Sequence, residues 1–254
     1  MPRLIDKRRL LLSTMDEDAE ALAREYDLGL ELADFTYAPM MEDPDRVKAA
    51  ERKMEGIHTF LFHGPFAELC PCAIDPKVRQ VSMDRVIQAA ELADSLGICR
   101  ILFHGGFIPL VYFPEWYVEQ SVAFWKEALG KIPRGMTAVL ENVMEPGPET
   151  LVQIMEGVND PRLGLCLDVG HANTIVSKIP PLSWVEPMAP YLRHVHLHNN
   201  EGNMDTHSAL DQGVIPMEAV LDRILECCPE ATFTIENQSC RASVEYLMEK
   251  GYLK

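Results

Sequence analysis

Side chains of the types that bind metal ions follow short apolar runs at six points along the 254-residue chain. They are imidazoles and carboxylates, namely His63, His104, Glu141, Asp168 with His171, His196 between His194 and His198, and Glu236. Short apolar runs bounded by polar residues are typical of buried strands. Because these groups recur at the same place in each run, we expect them to converge at one edge of a sheet.

The residues beside these groups indicate which way they point, because side chains alternate between the two faces of a strand. Leu140 precedes Glu141 and Leu167 precedes Asp168, so the apolar neighbour faces helices when the carboxylate faces inward. A lone strand-end histidine or acid is more often a satisfied polar residue than a ligand. Several together would bury unpaired charges at considerable cost. One or more divalent metal ions would offset that cost.

Strands and helices alternate along the chain. The apolar runs predict eight strands, at Arg9–Thr14, Leu30–Phe35, His58–His63, Cys99–His104, Thr137–Val143, Leu163–Asp168, Arg193–Asn199 and Ala231–Asn237. Helical periodicity predicts intervening helices at Asp18–Tyr26, Asp45–Met54, Val78–Leu96, Glu115–Leu129, Pro148–Glu156, Pro216–Cys227 and Ala242–Lys250, with a short one at Leu182–Ala189.

Eight strand–helix units in a chain of this length predict one (β/α)8 TIM barrel, with residues 1–254 as a single domain. An open doubly wound sheet is the alternative, and it is expected to carry a glycine-rich phosphate loop after the first strand. That strand leads instead into Ser13-Thr14-Met15-Asp16. In a barrel, residues at strand C-termini surround the active site.

The charge balance, 23 Lys and Arg against 39 Asp and Glu, gives a net charge of −16. This excludes binding of DNA or RNA by bulk electrostatics and argues against an anionic membrane surface. No apolar stretch is long enough for a transmembrane helix, and Leu10–Leu12 is too short for a signal-peptide core. Seven cysteines without a CxxC pair favour reduced thiols, so we expect a cytoplasmic protein.

Five segments carry a family resemblance: Leu140-Glu141-Asn142, Leu167-Asp168-Val169-Gly170-His171, His194-Val195-His196-Leu197, Asp205-Thr206-His207 and Ile235-Glu236-Asn237. In order and spacing they resemble the xylose-isomerase-like barrels, also called the AP endonuclease family 2 superfamily, over about Leu10 to Leu247. Sugar isomerases and epimerases of this type hold one divalent metal. That pattern implies the ligands Glu141, Asp168, His196 and Glu236.

Endonuclease IV, in the same superfamily, holds three zinc ions with nine ligands. The resemblance implies a counterpart here for all nine, at His63, His104, Glu141, Asp168, His171, His196, Asp205, His207 and Glu236. The expected cofactor is therefore one to three divalent ions of Zn, Mn or Mg. The mouth loops nevertheless offer few of the basic side chains that insert into DNA.

Two reactions fit these residues. A sugar or sugar-phosphate isomerase or epimerase would stabilise an enediolate with the metal, and Glu141 and Glu236 would transfer the proton. A multinuclear phosphoesterase would use two or three zinc ions on a small substrate. We favour the isomerase on the family-level ground that such barrels without DNA loops resemble sugar-handling enzymes. A non-catalytic barrel is the third alternative, which the intact ligand set disfavours.

Further residues could contact the substrate. His171 and Asn199 could fix hydroxyl groups, and His198 is a further contact or supporting residue. Arg241, at the start of the last helix, could bind a phosphate. Trp116 could cover the substrate. Glu31 and Asp34 have either a mouth or a structural role, while His58 and His194 are expected inside the barrel.

Overall fold

Eight parallel strands form a closed barrel in a computed structural model that describes residues 4–254. Neighbours in the chain are neighbours in the barrel, and the last strand closes the ring on the first, with Leu11 opposite Thr234. The strands are β1 (Leu10–Ser13), β2 (Gly29–Leu32), β3 (Phe60–His63), β4 (Arg100–His104), β5 (Thr137–Glu141), β6 (Leu163–Asp168), β7 (Leu192–Leu197) and β8 (Thr232–Ile235).

Helices follow every strand and surround the barrel. They are α1 (Ala19–Tyr26), α2 (Pro44–Met54), α3 (Pro76–Ser95), α4 (Pro114–Lys131), α5 (Glu149–Val158), α6 (Leu182–Met188), α7 (Met217–Cys227) and α8 (Arg241–Glu249). Short 3-10 turns lie at Lys7–Arg9, Ala38–Glu42 and His171–Asn173. The predicted (β/α)8 TIM barrel is confirmed, and each predicted strand and helix is present in the predicted order.

Local sequence signals set where the helices begin. Asp43 precedes α2 and accepts a hydrogen bond from the N–H of Asp45, and Asp75 does the same for Lys77 ahead of α3. Both helices have proline in the first turn, where the missing N–H has no helical partner to lose. These starts face the C-terminal ends of the strands, which we call the mouth.

Two apolar layers hold the barrel. Outward-facing strand residues pack on the helices, whereas a small inner layer fills the barrel interior with Leu11, Leu61, Leu102, Val139 and Cys166. His194 is also interior, as expected, and its ring nitrogens lie 2.7 Å from Thr232 Oγ1 and 2.9 Å from Thr234 Oγ1. The mouth groups therefore rest on a largely apolar support.

Most strand ends differ from the predicted bounds, and the differences on β2 and β3 change the interpretation of particular residues. β2 ends at Leu32 instead of Phe35, because the Thr14 hydroxyl accepts the N–H of Ala33 at 2.9 Å and replaces the strand ladder. The prediction of an interior His58 is wrong: β3 begins at Phe60, and His58 is exposed at the opposite end of the barrel, which we call the base.

Within residues 4–254, no helix combines the length and apolar character needed to span a bilayer.

Candidate metal centre

The mouth collects all nine residues of the predicted ligand set. Five of them lie within strands close to their C-terminal ends, on β3 to β7. Glu236 comes directly after β8, and the other three lie in loops. The β6–α6 loop carries His171, and the longer β7–α7 loop carries Asp205 and His207.

Their donor atoms form overlapping groups. Among the groups whose donor atoms all lie within 4.8 Å of one another, three matter here. They are His63, His104 and Glu141; Glu141, Asp168, His196 and Glu236; and His171, Asp205 and His207. Glu141 belongs to the first two. Together the three groups contain every predicted ligand, and a carboxylate shared between two groups can bridge two ions.

Glu141 has an oxygen that the protein leaves unsatisfied. Oε2 is buried and lies 2.9 Å from His104 Nε2 and 4.0 Å from His63 Nε2. Neither nitrogen is aligned to donate a hydrogen bond to it. A buried carboxylate oxygen without a hydrogen bond is costly. Two imidazole nitrogens and a carboxylate oxygen converging in this way fit a divalent ion such as zinc.

Three histidines have their tautomer fixed by backbone carbonyls. In His63, His171 and His207, Nδ1 lies 2.9 Å from a carbonyl oxygen. A carbonyl only accepts, so each Nδ1 carries a proton and donates it, and Nε2 is the nitrogen that can bind a metal ion once it has lost any proton of its own. The three carbonyls belong, respectively, to Gly64, Asn142 and Glu236.

Glu31 orients His196 from inside the barrel, on the side away from the mouth. Its oxygens lie 3.0 and 3.1 Å from His196 Nε2, and both side chains are fully buried. The N–H at Nε2 donates to this carboxylate, so Nδ1 points its lone pair toward the mouth. On that side, Nδ1 lies 2.9 Å from Glu141 Oε1 and 3.1 Å from Glu236 Oε2. A carboxylate behind a ligating histidine is a recurrent feature of metal sites.

His198 supports Asp168 instead of reaching the open mouth. Its Nε2 lies 2.9 Å from the Asp168 carboxylate, and the ring is fully buried. A Cβ at position 170 would overlap this ring, so Gly170 in the Asp168–His171 segment makes room for it. The sequence allows His198 to be either a substrate contact or a supporting residue, and this geometry supports the second role.

The centre favours positive charge. Burial alone would raise the pKa of Glu141, but His196 and His104 outweigh it and lower that pKa. Burial alone would lower the pKa of His207, but the hydrogen bond with Asp205 and the charge of Glu236 raise it to about 9. Any metal ion that binds here must therefore displace protons.

Asparagine amides tie the strand ends and loops together. Asn142 donates to the Asp168 carbonyl at 2.9 Å and accepts the Asp168 N–H at 2.8 Å, which joins β5 to β6. Asn237 donates to the carbonyls of His207 and Ser208, which holds the β7–α7 loop over β8. His207 itself adopts a left-handed backbone, with φ of 47°.

A cavity of about 520 Å³ opens above the ligand groups. Most of the candidate ligands form its floor, namely His63, His104, Glu141, His171, Asp205, His207 and Glu236. Its wall is largely apolar, from Met15, Ala33, Tyr37, Phe66, Val143 and Met144. Phe66 stacks on the His104 ring with centroids 4.3 Å apart and thereby limits its rotation. Neither Lys nor Arg occurs among the described residues of the lining.

A family model for the xylose isomerase-like TIM barrel matches residues 21–238. The chain belongs to this family. The resemblance inferred from the five sequence segments is thus confirmed.

Curated relatives of this family member include "Uncharacterized protein MJ1311" of Methanocaldococcus jannaschii, 28% identical over 72% of this chain and 66% of that protein. "Probable endonuclease 4" of Mesomycoplasma hyopneumoniae is 25% identical over 57% of this chain and 58% of that protein. The chain thus spans slightly less than two thirds of the length of these relatives.

Two solved structures superimpose on nearly the whole xylose isomerase-like barrel. The TTHB071 protein from Thermus thermophilus, soaked with ZnCl2, has a TM-score of 0.77 and 28% identity, covering 95% of this chain and 97% of that one. A D-tagatose 3-epimerase-like protein has a TM-score of 0.78 and 22% identity, covering 96% of each chain. The second likeness concerns the fold.

Besides His198, three further predicted substrate contacts lie outside the cavity lining of this family member. Arg241 is exposed and pairs with Glu25 at 2.9 Å. Asn199 is buried, and its amide holds the β7–α7 loop through Leu210 and Ile215. Trp116 is half-buried and donates to the Cys72 carbonyl at 2.9 Å. Their roles in binding stay predictions that this geometry does not favour.

Sequence reasoning missed two features of the centre. Glu31 received no firm role, although a lone carboxylate inside the apolar run Gly29–Leu32 was a usable signal. The apolar wall was missed entirely, because Met15, Tyr37 and Met144 lie on three different loops and share no motif.

Proposed function

We propose that this protein hydrolyses a small phosphoester with a cluster of two or three divalent metal ions at the barrel mouth. The observation that supports this most is the set of three ligand groups, two of which share Glu141. An enzyme with one ion needs only the group of Glu141, Asp168, His196 and Glu236. The other two groups would then bring four imidazoles and the Asp205 carboxylate together without a chemical use.

The chain's own residues would hold the reacting groups in place. Glu31, His198 and the three backbone carbonyls orient the ligands, and the cavity wall excludes water from one side of the substrate. Bound divalent ions would supply Lewis acidity, which polarises a phosphoryl oxygen and lowers the pKa of a water molecule. In hydrolysis, water adds to phosphorus, the P–O bond to the leaving group breaks, and that group departs with a proton.

A small substrate fits the charges better than a nucleic acid. The net charge is −16, and the described cavity lining contains no Lys or Arg. Proteins that bind DNA or RNA neutralise phosphates with clustered cations. The similarity to "Probable endonuclease 4" supports the class of chemistry, and the zinc-soaked TTHB071 structure supports zinc as the cofactor.

Isomerisation or epimerisation of a sugar, which the sequence analysis favoured, is the second candidate. It draws support from the four-ligand group, in which Glu141 and Glu236 both approach His196 Nδ1 and could serve as a proton-transfer pair. In this alternative a single ion occupies that group. We rank it second because the other two groups, built from five further residues, would have no role in a reaction with a single ion.

Metal counting combined with an activity assay tests the proposal. We expect two or three zinc ions per purified chain and hydrolysis of 4-nitrophenyl phosphoesters, both lost after exhaustive chelation. Glu236→Gln should abolish turnover while the melting temperature stays near that of the parent protein. Glu201→Gln, an exposed mouth-loop acid outside the three groups, is the matched control and should remain active. One ion per chain with ketose epimerisation would instead establish the second candidate.

A further inference from the structure

The cavity wall contrasts with its floor. Tyr37, Met15 and Met144 are 53%, 40% and 44% exposed, respectively, although they line a cavity whose floor is ionisable. Contact between large apolar side chains and water is unfavourable, and burial of these side chains against a ligand would lower the free energy. The wall is therefore suited to an apolar surface beside the reacting group.

A row of aromatic rings extends from the exposed edge of the cavity to its floor. Tyr37 lies at the outer end, with its ring centroid 6.3 Å from that of Phe66, and Phe66 stacks on His104. Met144 lies on a different loop, between β5 and α5. The β5–α5 loop is held by Glu145, which is buried and accepts the Val143 N–H at 2.8 Å and the Tyr117 hydroxyl at 2.7 Å. The wall is thus anchored on at least one side.

Two cations near the mouth are already paired. Lys53 lies 2.6 Å from Asp34, and Arg241 pairs with Glu25. Since the described lining also lacks Lys and Arg, a second anionic group on the substrate would meet no free cationic partner in the cavity. This disfavours nucleotides and bisphosphates.

The apolar character extends over the whole mouth. Most large hydrophobic side chains that are exposed in residues 4–254 lie in loops that follow strands, including Ile108, Leu110, Phe113, Ile175 and Met204. Within the same described residues, the loops that lead from a helix to the next strand at the base carry none. Exposed apolar residues concentrated around a cleft mark binding sites.

From these observations, and resting on the proposed phosphoesterase function, we propose that the substrate is a phosphoester whose non-reacting part is an apolar or aromatic group. The phosphoryl group would lie on the ionisable floor, and the apolar group would lie against Tyr37, Phe66 and Met144. An unsubstituted sugar or a nucleic-acid strand would leave this wall in contact with water or polar groups.

Two non-hydrolysable probes test the substrate class without requiring turnover. Isothermal titration of the zinc-loaded protein with phenylphosphonate and methylphosphonate compares the same acidic group with and without an aromatic ring. We expect phenylphosphonate to bind at least about tenfold more tightly. Tyr37→Ala and Met144→Ala should each reduce that preference. Met248→Ala, which truncates an equally exposed methionine near the end of α8 and outside the cavity lining, should keep it.

The outcomes separate this inference from the proposed function. Equal affinity for the two phosphonates, or a preference that survives both wall variants, overturns the apolar substrate class even if phosphoesters are hydrolysed. A phenyl preference that depends on the wall supports it even if hydrolysis fails. Binding of neither phosphonate overturns both.

A matched substrate series supplies the kinetic test. Methyl 4-nitrophenyl phosphate and hexyl 4-nitrophenyl phosphate share one leaving group and differ only in the non-reacting substituent. We expect kcat/KM to be at least about tenfold higher for the hexyl ester, because additional methylenes are buried against the wall. A methyl ester hydrolysed as efficiently as the hexyl ester would contradict the inference.

Discussion

The two ends of the barrel are built from the same strands and helices but have opposite chemistry. At the mouth, the cavity floor is made of carboxylates and imidazoles, and no Lys or Arg occurs among its described lining residues. At the base, a cavity of about 430 Å³ is lined by Lys7, Arg8 and Arg24, together with Asp27 and His58. The described lining of this base cavity includes none of the nine candidate ligands.

Helix direction explains part of this difference. In a (β/α)8 barrel, helix N-termini face the mouth and helix C-termini face the base. Backbone N–H groups at the mouth accordingly meet carboxylates: the His171 N–H donates to Asp168 at 2.6 Å, and the Cys240 N–H donates to Asp16 at 2.7 Å. Carbonyls at the base meet cations, as where Arg24 donates to the Glu55 carbonyl at 3.1 Å.

Helix dipoles favour this sorting but do not produce a metal centre. At the base, the Arg24 guanidinium is occupied by the carbonyls at the end of α2. At the mouth, backbone N–H groups bond only some of the carboxylates. Glu141 retains a buried oxygen without a hydrogen bond. Surplus buried negative charge, beyond what the helices require, therefore distinguishes the end with the candidate metal centre from the base.

The largest expected effect separates the two ends directly. Glu141→Gln removes the carboxylate shared by two ligand groups, so metal content should fall by at least one ion and kcat/KM by about a thousandfold. His58→Gln, an imidazole change at the base, should alter neither. Plasma emission spectrometry and the phosphoester assay measure both quantities. A normal metal content in the first variant would show that Glu141 does not hold a metal ion.

A smaller effect is expected from the residue beneath the centre. Glu31→Gln weakens the hold on His196 Nε2 and should lower zinc affinity about ten- to a hundredfold. Asp34→Asn, two residues after the end of β2, changes a carboxylate that bonds Lys53 and Thr14 and should leave zinc affinity unchanged. Competition with a fluorescent chelator measures both affinities. Equal losses in the two variants would assign Glu31 a merely structural role.

The smallest effect is a gradual pH dependence. Because the pKa of His207 is raised to about 9, the metal-free ring is protonated at pH 7 and its proton must leave when zinc binds. Zinc affinity should therefore rise between about pH 7 and 9, by about tenfold per unit for each displaced proton, and level off above that range. The His58→Gln variant should show the same slope. An affinity that is flat over this range would contradict the assignment.

Much of the site was predictable from sequence because its ligands occupy equivalent positions in a repeated unit. Glu141 and Asp168 each end a strand, and His196 lies one residue before the end of its strand. Alternation along the strands then indicated their direction. Asp205 and His207 were found only through the family resemblance, because the loop that carries them has no periodic pattern.

The sequence-based assignments that the structure contradicts or does not favour concern residues whose role depends on a neighbour distant in the chain or on where a strand begins. Arg241 starts a helix, as a phosphate-binding residue would, but Glu25 of α1 is close enough to pair with it. Asn199 follows β7 at the mouth, yet the fold of its own loop uses its amide. His58 lies in an apolar run, but its strand begins two residues later.

The barrel, the order of its strands and the nine candidate ligands could be inferred from the sequence, because they follow from short-range periodicity, from repetition and from the family resemblance. The three-dimensional fold was needed to show that the ligands form three groups, two of them sharing Glu141, that Glu31 lies behind His196, and that an apolar wall lines the cavity above the centre. Each of these depends on distances between residues on different strands or loops. Those distances are set by closure of the ring and by packing, which no local pattern of residues encodes.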